Sequence, residues 1–324
     1  MVKRQFGLEF ESYGLTANIL KGIMGTAGVG WKDNLWTHNG QVYFNRKTWQ
    51  GMADGSISGR GSRGQELNYP YQNEDYGDKE ITHEVVTPVL KGGKGMKDVQ
   101  KVLKGMNKAG AKADNSTMGL HVTFGLDNTR WQRMGRKKRA KSLARIVDTY
   151  NYFGPAINTM VAKSRRGSGF ASFNNLQQSL RSKYSAVNLK QFEDGGRVEF
   201  RQHQGTLSFK KTREWVNFLD RLLNFSTNEE FKDKNPTDYP RTFEGMSKAL
   251  GLNPAQIKYW NKRRAKLNPS AVAGGTDRVM LDYVDNTGLL YTPVTSPQVT
   301  TETRGLNPDW PKIMDFQRRH GRTD

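Results

Sequence analysis

FGLEFES, residues 6–12, is the stretch from which the rest of the chain is read. With a period of two, Phe6, Leu8 and Phe10 fall on one face, and Gly7, Glu9 and Glu11 on the other. The first face suits a core. The second carries two like charges that repel unless a cation, a basic partner or water separates them. Taken alone, the stretch is either a half-exposed strand, which ordinarily alternates in this way, or half of a metal site.

The same design recurs along the chain. ITHEVVTPVLKGG (81–93) reads as a strand stopped by Pro88 and glycines, with Glu84 in it. GLHVTFGL (119–126) sets Leu120, Val122 and Phe124 on one face and His121 and Thr123 on the other. YSAVNLKQFEDGGRVEFRQHQGTL (184–207) reads as a hairpin in which Val187 and Leu189 match Val198 and Phe200. Its second strand has a polar face of Arg197, Glu199, Arg201 and His203. A lone strand histidine is ordinarily structural, and Glu199 with Arg201 is ordinarily a charge ladder. Together, Glu9, Glu11, Glu84, His121 and Glu199 form an oxygen-rich set with one imidazole. That is the ligand chemistry of Mg²⁺ or Mn²⁺ rather than of structural zinc. Arg201, two positions from Glu199, is placed to hold a phosphate oxygen.

Between and after the strands the pattern turns helical. MKDVQKVLKGMNKAG (96–110) carries Met96, Val99, Leu103 and Met106 on one stripe and closes at Gly110. Residues 131–163 contain at least one long helix, basic at its start (RMGRKKRAK) and apolar later. TREWVNFLDRLLNF (212–225) is a further amphipathic helix, and 243–267 reads as helix, Gly-Leu-Asn-Pro turn, helix. GSISGRGSRG, within residues 55–64, reads as a mobile loop, and the tail from Asn268 as extended or partly disordered. The expected organisation is a main domain over 1–235, a helical hairpin extension over 236–267 and a loose tail over 268–324.

The order of motifs resembles the amidoligase family, whose catalytic domain is similar to those of glutamine synthetase and glutamate-cysteine ligase. The resemblance rests on Gly7-Leu8-Glu9-Phe10-Glu11, Trp49 with Asp54-Gly55-Ser56-Ile57, and Glu84-Val85-Val86-Thr87-Pro88-Val89-Leu90. It continues through Gly119-Leu120-His121-Val122 and Val198-Glu199-Phe200-Arg201 with Gly205-Thr206-Leu207. It covers roughly residues 5–265 and implies an α+β fold, a curved antiparallel sheet with flanking helices whose concave face binds metal-ATP. The implied activity is an ATP-dependent carboxylate-amine ligase that works through an acyl-phosphate. Carried over, Glu9, Glu11, Glu84, His121 and Glu199 are expected metal ligands. Arg201 and Glu199 are expected catalytic groups, and Arg201, Arg166 and Asn188 expected nucleotide contacts. Asp54 and Ser56 are candidate substrate contacts, and Arg165, Arg166, Tyr184 and Asn188 match more loosely. Two departures stand out. Thr123 occupies a position where members often carry His or Asn, and the stretch 58–80 is long enough to be a lid or a substrate-specific insertion.

Composition narrows the classes. The chain has 324 residues, 35% hydrophobic, with no cysteine, so disulfides, thiolate metal sites and cysteine nucleophiles are excluded. No apolar run suits a membrane span or a signal peptide, and a cytoplasmic location is the expectation. The net charge of +20 attracts anions and favours an acidic peptide or protein among the carboxylate substrates. It also keeps open a nucleic-acid binder that uses RMGRKKRAK and a helix-turn-helix over 243–267. In that reading Ser247, Leu250, Gly251 and Ile257 pack the motif, and Lys258, Lys262, Arg263 and Arg264 meet phosphates. A non-catalytic relative of the ligase fold is the third class.

Overall fold

The computed structural model describes residues 2–34, 47–52, 54–67, 77–126, 133–167, 169, 171–192 and 196–269. Its strands are β1 Gln5–Leu15, β2 Trp31–Asn34, β3 Trp49–Met52, β4 Gly59–Arg60, β5 Glu66–Leu67, β6 Ile81–Val86, β7 Leu90–Lys91, β8 Gly119–Gly125, β9 Val187–Asn188 and β10 Arg197–Gln204. One mainly antiparallel sheet runs β2-β3-β6-β1-β8-β10-β9, with β7 added to the start of β1. Among the described strand pairs of this sheet, β2–β3 is the parallel one. The period-two pattern puts Phe6, Leu8 and Phe10 of β1 beside Leu120, Val122 and Phe124 of β8 and Val198 and Phe200 of β10, all 1% exposed or less. Phe124 bridges Phe6 and Phe200 at centroid distances of 6.5 and 6.2 Å.

Helices cover this apolar face. Gly92–Lys108 buries Met96, Val99, Val102, Leu103 and Met106. Arg136–Tyr152 buries Leu143, Ile146, Val147 and Tyr150, and Phe209–Thr227 buries Trp215, Phe218, Leu219 and Leu222. The long helix expected within 131–163 is Arg136–Tyr152; it ends at Phe153, after which Gly154–Met160 starts afresh with a proline in its first turn. Residues 131 and 132 lie outside the described residues.

Two expectations are corrected. The 184–207 hairpin has a first strand of only two residues, because Leu189 donates its N–H to Ser179 and leaves the ladder. The register still sets Asn188 opposite Glu199 and Val187 opposite Phe200. The turn residues 193–195 lie outside the described set. Most of the loop expected to be mobile is a β4–β5 ribbon, in which Glu80 accepts the Ser62 N–H at 2.7 Å and Gly64 turns at φ 81°. Residues 68–76 of that insertion, and the tail from 270, are likewise outside the described residues.

The two C-terminal helices, Phe243–Leu250 and Pro254–Leu267, join the same core. Trp260 packs 6.0 Å from both Trp215 and Phe218. Arg264, a phosphate contact in the nucleic-acid reading, is instead buried: it lies 4.3 Å over the Phe243 ring and donates to Thr159 at 2.8 Å.

Candidate active site

The face of the sheet opposite the helices collects the acids. Pairing across β1 sets Glu9 opposite His121 and Glu11 opposite Glu84, and β10 sets Glu199 opposite Thr123. A two-residue side-chain period then gives all five proposed ligands one direction. His121 is 3% exposed and sits among three carboxylates. Its Nδ1 is 3.0 Å from Glu9 Oε2 and 3.7 Å from Glu199 Oε1, and its Nε2 is 3.4 Å from Glu11 Oε1. One ligand atom from each of Glu9, His121 and Glu199 lies within 4.8 Å of the others.

Neighbours hold each acid in place. Glu11 Oε2 accepts the Gly119 N–H at 2.5 Å and faces Arg165 Nη2 at 4.0 Å. Glu199 accepts from Arg201 Nη1 through Oε1 and from Asn188 Nδ2 through Oε2, both at 2.5 Å. Charge-assisted bonds of this kind fix a carboxylate far better than solvent does.

Burial raises all four glutamates above the ordinary carboxylate range. Glu84 goes furthest, because Glu9, Glu11, Asp54 and Glu199 add their repulsion to its desolvation. For Glu199, burial and Glu9 act against Arg201 and His121. For Glu11, burial outweighs His121, the Gly119 amide and Arg165. Glu9 is raised by burial and Asp54 and lowered by Arg201, and its side chain keeps 27% exposure, so solvent tempers the shift. Burial lowers His121 despite the pull of Glu11, which favours a neutral ring with one N–H and one lone pair. Arg201 is raised: burial pulls it down, and Glu199, Glu9 and Glu11 outweigh that.

The remaining candidates divide. Asp54 acts on Glu9, Glu11 and Glu84, and its Oδ1 accepts the Ser56 N–H at 2.8 Å in a tight turn. Ser56 itself is exposed. Arg166, expected on the nucleotide, donates to the carbonyls of Val161 and Leu267 and ties down the end of the last helix. Its neighbour Arg165 is the one beside Glu11. Tyr184 is 46% exposed and packs under Lys183. Gly119 was not singled out from the sequence. A Cβ there would stand 2.8 Å from His121 Nε2 and 3.1 Å from Arg165 Nη2, so a side chain would collide with the cluster. A groove of about 1500 Å³ takes in Glu9, Gln50, Thr123 and Arg197, and Glu9 is the member of the cluster that lines it.

A divalent hard cation suits this donor set: two carboxylates and one imidazole within reach of one point, more carboxylates beside them, and no sulfur. The chain has no match among curated proteins. Among solved structures it is similar to one described as "Crystal structure of novel glutamine synthase homolog", at 11% identity and a TM-score of 0.40, covering 87% of this chain and 70% of that one. The sequence profile of a family described as "Putative amidoligase enzyme" matches residues 2–223, from the start of β1 into the 209–227 helix and across every acid of the cluster, and the chain belongs to that family.

Proposed function

We propose that the chain is an ATP-dependent carboxylate-amine ligase of glutamine synthetase-like type. The observation that carries this reading is the meeting of Glu9, His121 and Glu199 within 4.8 Å, with Arg201 bonded to Glu199 beside them. Glu9, Glu11, Glu84, His121 and Glu199 would hold Mg²⁺ or Mn²⁺, which supplies charge neutralisation for a triphosphate. Asn188 and Arg201 set the orientation of Glu199. Arg201, kept charged by its carboxylate neighbours, is the group that meets the transferring phosphoryl oxygens.

In the first step a substrate carboxylate oxygen bonds to the γ-phosphorus, the bond to the β-phosphate oxygen breaks, and ADP leaves. In the second an amine nitrogen bonds to the acyl carbon, the bond to the phosphate oxygen breaks, and the amine gives up a proton. Asp54 and Ser56, on the turn next to the cluster, are the proposed substrate contacts. The net charge of +20 favours an acidic peptide or protein as the carboxylate partner.

The test is ADP release from purified protein against a panel of acids and amines with Mg²⁺ or Mn²⁺. Acid- and amine-dependent ADP release supports the ligase. No ADP across the panel, together with salt-sensitive oligonucleotide binding that requires Lys258 and Lys262, would replace it with the nucleic-acid reading. Among the described residues, no helix is long and apolar enough to cross a membrane.

A further inference from the structure

Past the β-bulge of β10, between Phe200 and His203, the chain carries a second polar cluster that the ligase chemistry does not use. His203 is fully buried, with its ring 5.2 Å from that of Trp215. Its Nδ1–H donates to the Gln204 carbonyl at 2.7 Å, which leaves Nε2 as a lone pair, and Nε2 has no hydrogen-bond partner. On the 254–267 helix, Tyr259 and Arg263 stand one turn apart and so share a face. The Tyr259 hydroxyl and Arg263 Nε and Nη2 are also buried without partners. Lys211, one turn before Trp215 on the 209–227 helix, completes the group.

Three elements meet here. After burial, the charge of Arg263 is the strongest influence on both His203 and Lys211, and it also acts on Tyr259. Lys266 adds further positive charge at Lys211. Buried polar atoms without partners are rare in folded proteins and call for an ordered water or an ion. Nε–H and Nη2–H form the side edge of a guanidinium, which matches two oxygens of an oxyanion. A carboxylate would spend both of its oxygens on that edge. A tetrahedral anion has oxygens left for Lys211 and Tyr259, and a protonated one has an O–H for the lone pair of His203.

We infer that His203, Lys211, Tyr259 and Arg263 form a binding site for hydrogen phosphate, separate from the Glu9–Glu199 cluster. The inference does not depend on the ligase reading. It is tested with the full chain in EDTA, without nucleotide, by calorimetric titration and thermal melting with inorganic phosphate and with sulfate at matched ionic strength. Phosphate should bind and raise the melting temperature more than sulfate does, since sulfate brings no proton for Nε2. Arg263→Gln should weaken phosphate by about tenfold or more, as loss of one charge-assisted pair implies. Lys211→Gln, at a half-buried position, should weaken it as well, and Arg201→Gln should leave it unchanged. Stabilisation by phosphate no greater than by chloride overturns the inference. So does equal binding in the parent, Arg263→Gln and Lys211→Gln, or a loss confined to Arg201→Gln.

Discussion

Replacing Glu84 with Gln should flatten the pH dependence of stability in the metal-free protein and remove much of its response to Mn²⁺. Burial and the charges of Glu9, Glu11, Asp54 and Glu199 all push the Glu84 carboxyl in the same direction, well above the ordinary 4.5. A carboxyl raised in this way keeps its proton in the folded chain and loses it in the unfolded one. Its contribution is therefore complete below about pH 4.5 and is lost as pH climbs through the raised value. Each proton held only by the folded state costs about 1.4 kcal/mol per pH unit across that window. For a fold of this size that is about 2–3 °C of melting temperature per pH unit. A divalent cation reverses the sign. Two carboxylate charges at the 4.8 Å limit that relates Glu9 and Glu199 repel by about 3.5 kcal/mol at an effective dielectric constant of about 20, and a cation between them turns that repulsion into attraction. The assay is a melting series from pH 5 to 9 in EDTA and again in Mn²⁺, for the parent and Glu84→Gln. Parallel pH curves in EDTA, or the same Mn²⁺ shift in both proteins, would refute the assignment of Glu84 to the acid cluster.

Arg201→Ala should lower kcat by about 30- to 1,000-fold, the loss of about 2–4 kcal/mol expected when one preorganised donor is removed, measured as ADP release. Gly119→Ala should leave the fold standing and weaken Mn²⁺ by roughly 10- to 100-fold, because its Cβ displaces His121; calorimetry reads this directly. Trp260→Ala should cost about 3–5 kcal/mol in denaturant unfolding, since it empties the space beside Trp215 and Phe218. Gly251→Ala should cost about 1 kcal/mol by the same measurement, because the helix ends there at φ 61°.

The strands that build the site were legible because their sequences alternate without interruption. Phe6-Gly7-Leu8-Glu9-Phe10-Glu11 and Leu120-His121-Val122-Thr123-Phe124 each state which residues face the core and which face away. The helix Ala17–Ala27 was passed over. Gly22 and Gly25 weaken its signal, although Thr16 caps it through the Ile19 N–H and Leu20 and Met24 are fully buried. Strands β2 and β3 have four residues each and no period to read, so their places as edge strand and its neighbour come from pairing. Within the site, the carboxylates declare themselves by type. The choice between Arg165 and Arg166 does not, because adjacent arginines look alike until a turn points one at Glu11 and the other at Leu267. Gly119 was missed for a related reason: it acts through its amide and through the side chain it lacks.

The central place of β1 has a consequence for synthesis. Among the strands of the sheet, the one that carries Glu9 is made first, yet its neighbours are β6, β7 and β8, and the acid that completes the ligand triad is Glu199, 190 residues later. At about 5–20 residues per second, Glu9 waits roughly 10–40 s for Glu199 to be made. Through that interval Phe6, Leu8 and Phe10 have only part of the sheet and helices that will cover them, which is when an apolar strand is most open to wrong pairing. Glu9 lies between Leu8 and Phe10 and Glu11 follows Phe10, and their charge opposes edge-to-edge association until the partner strands exist. The carboxylates read here as metal ligands in the finished protein would thus also guard the nascent chain.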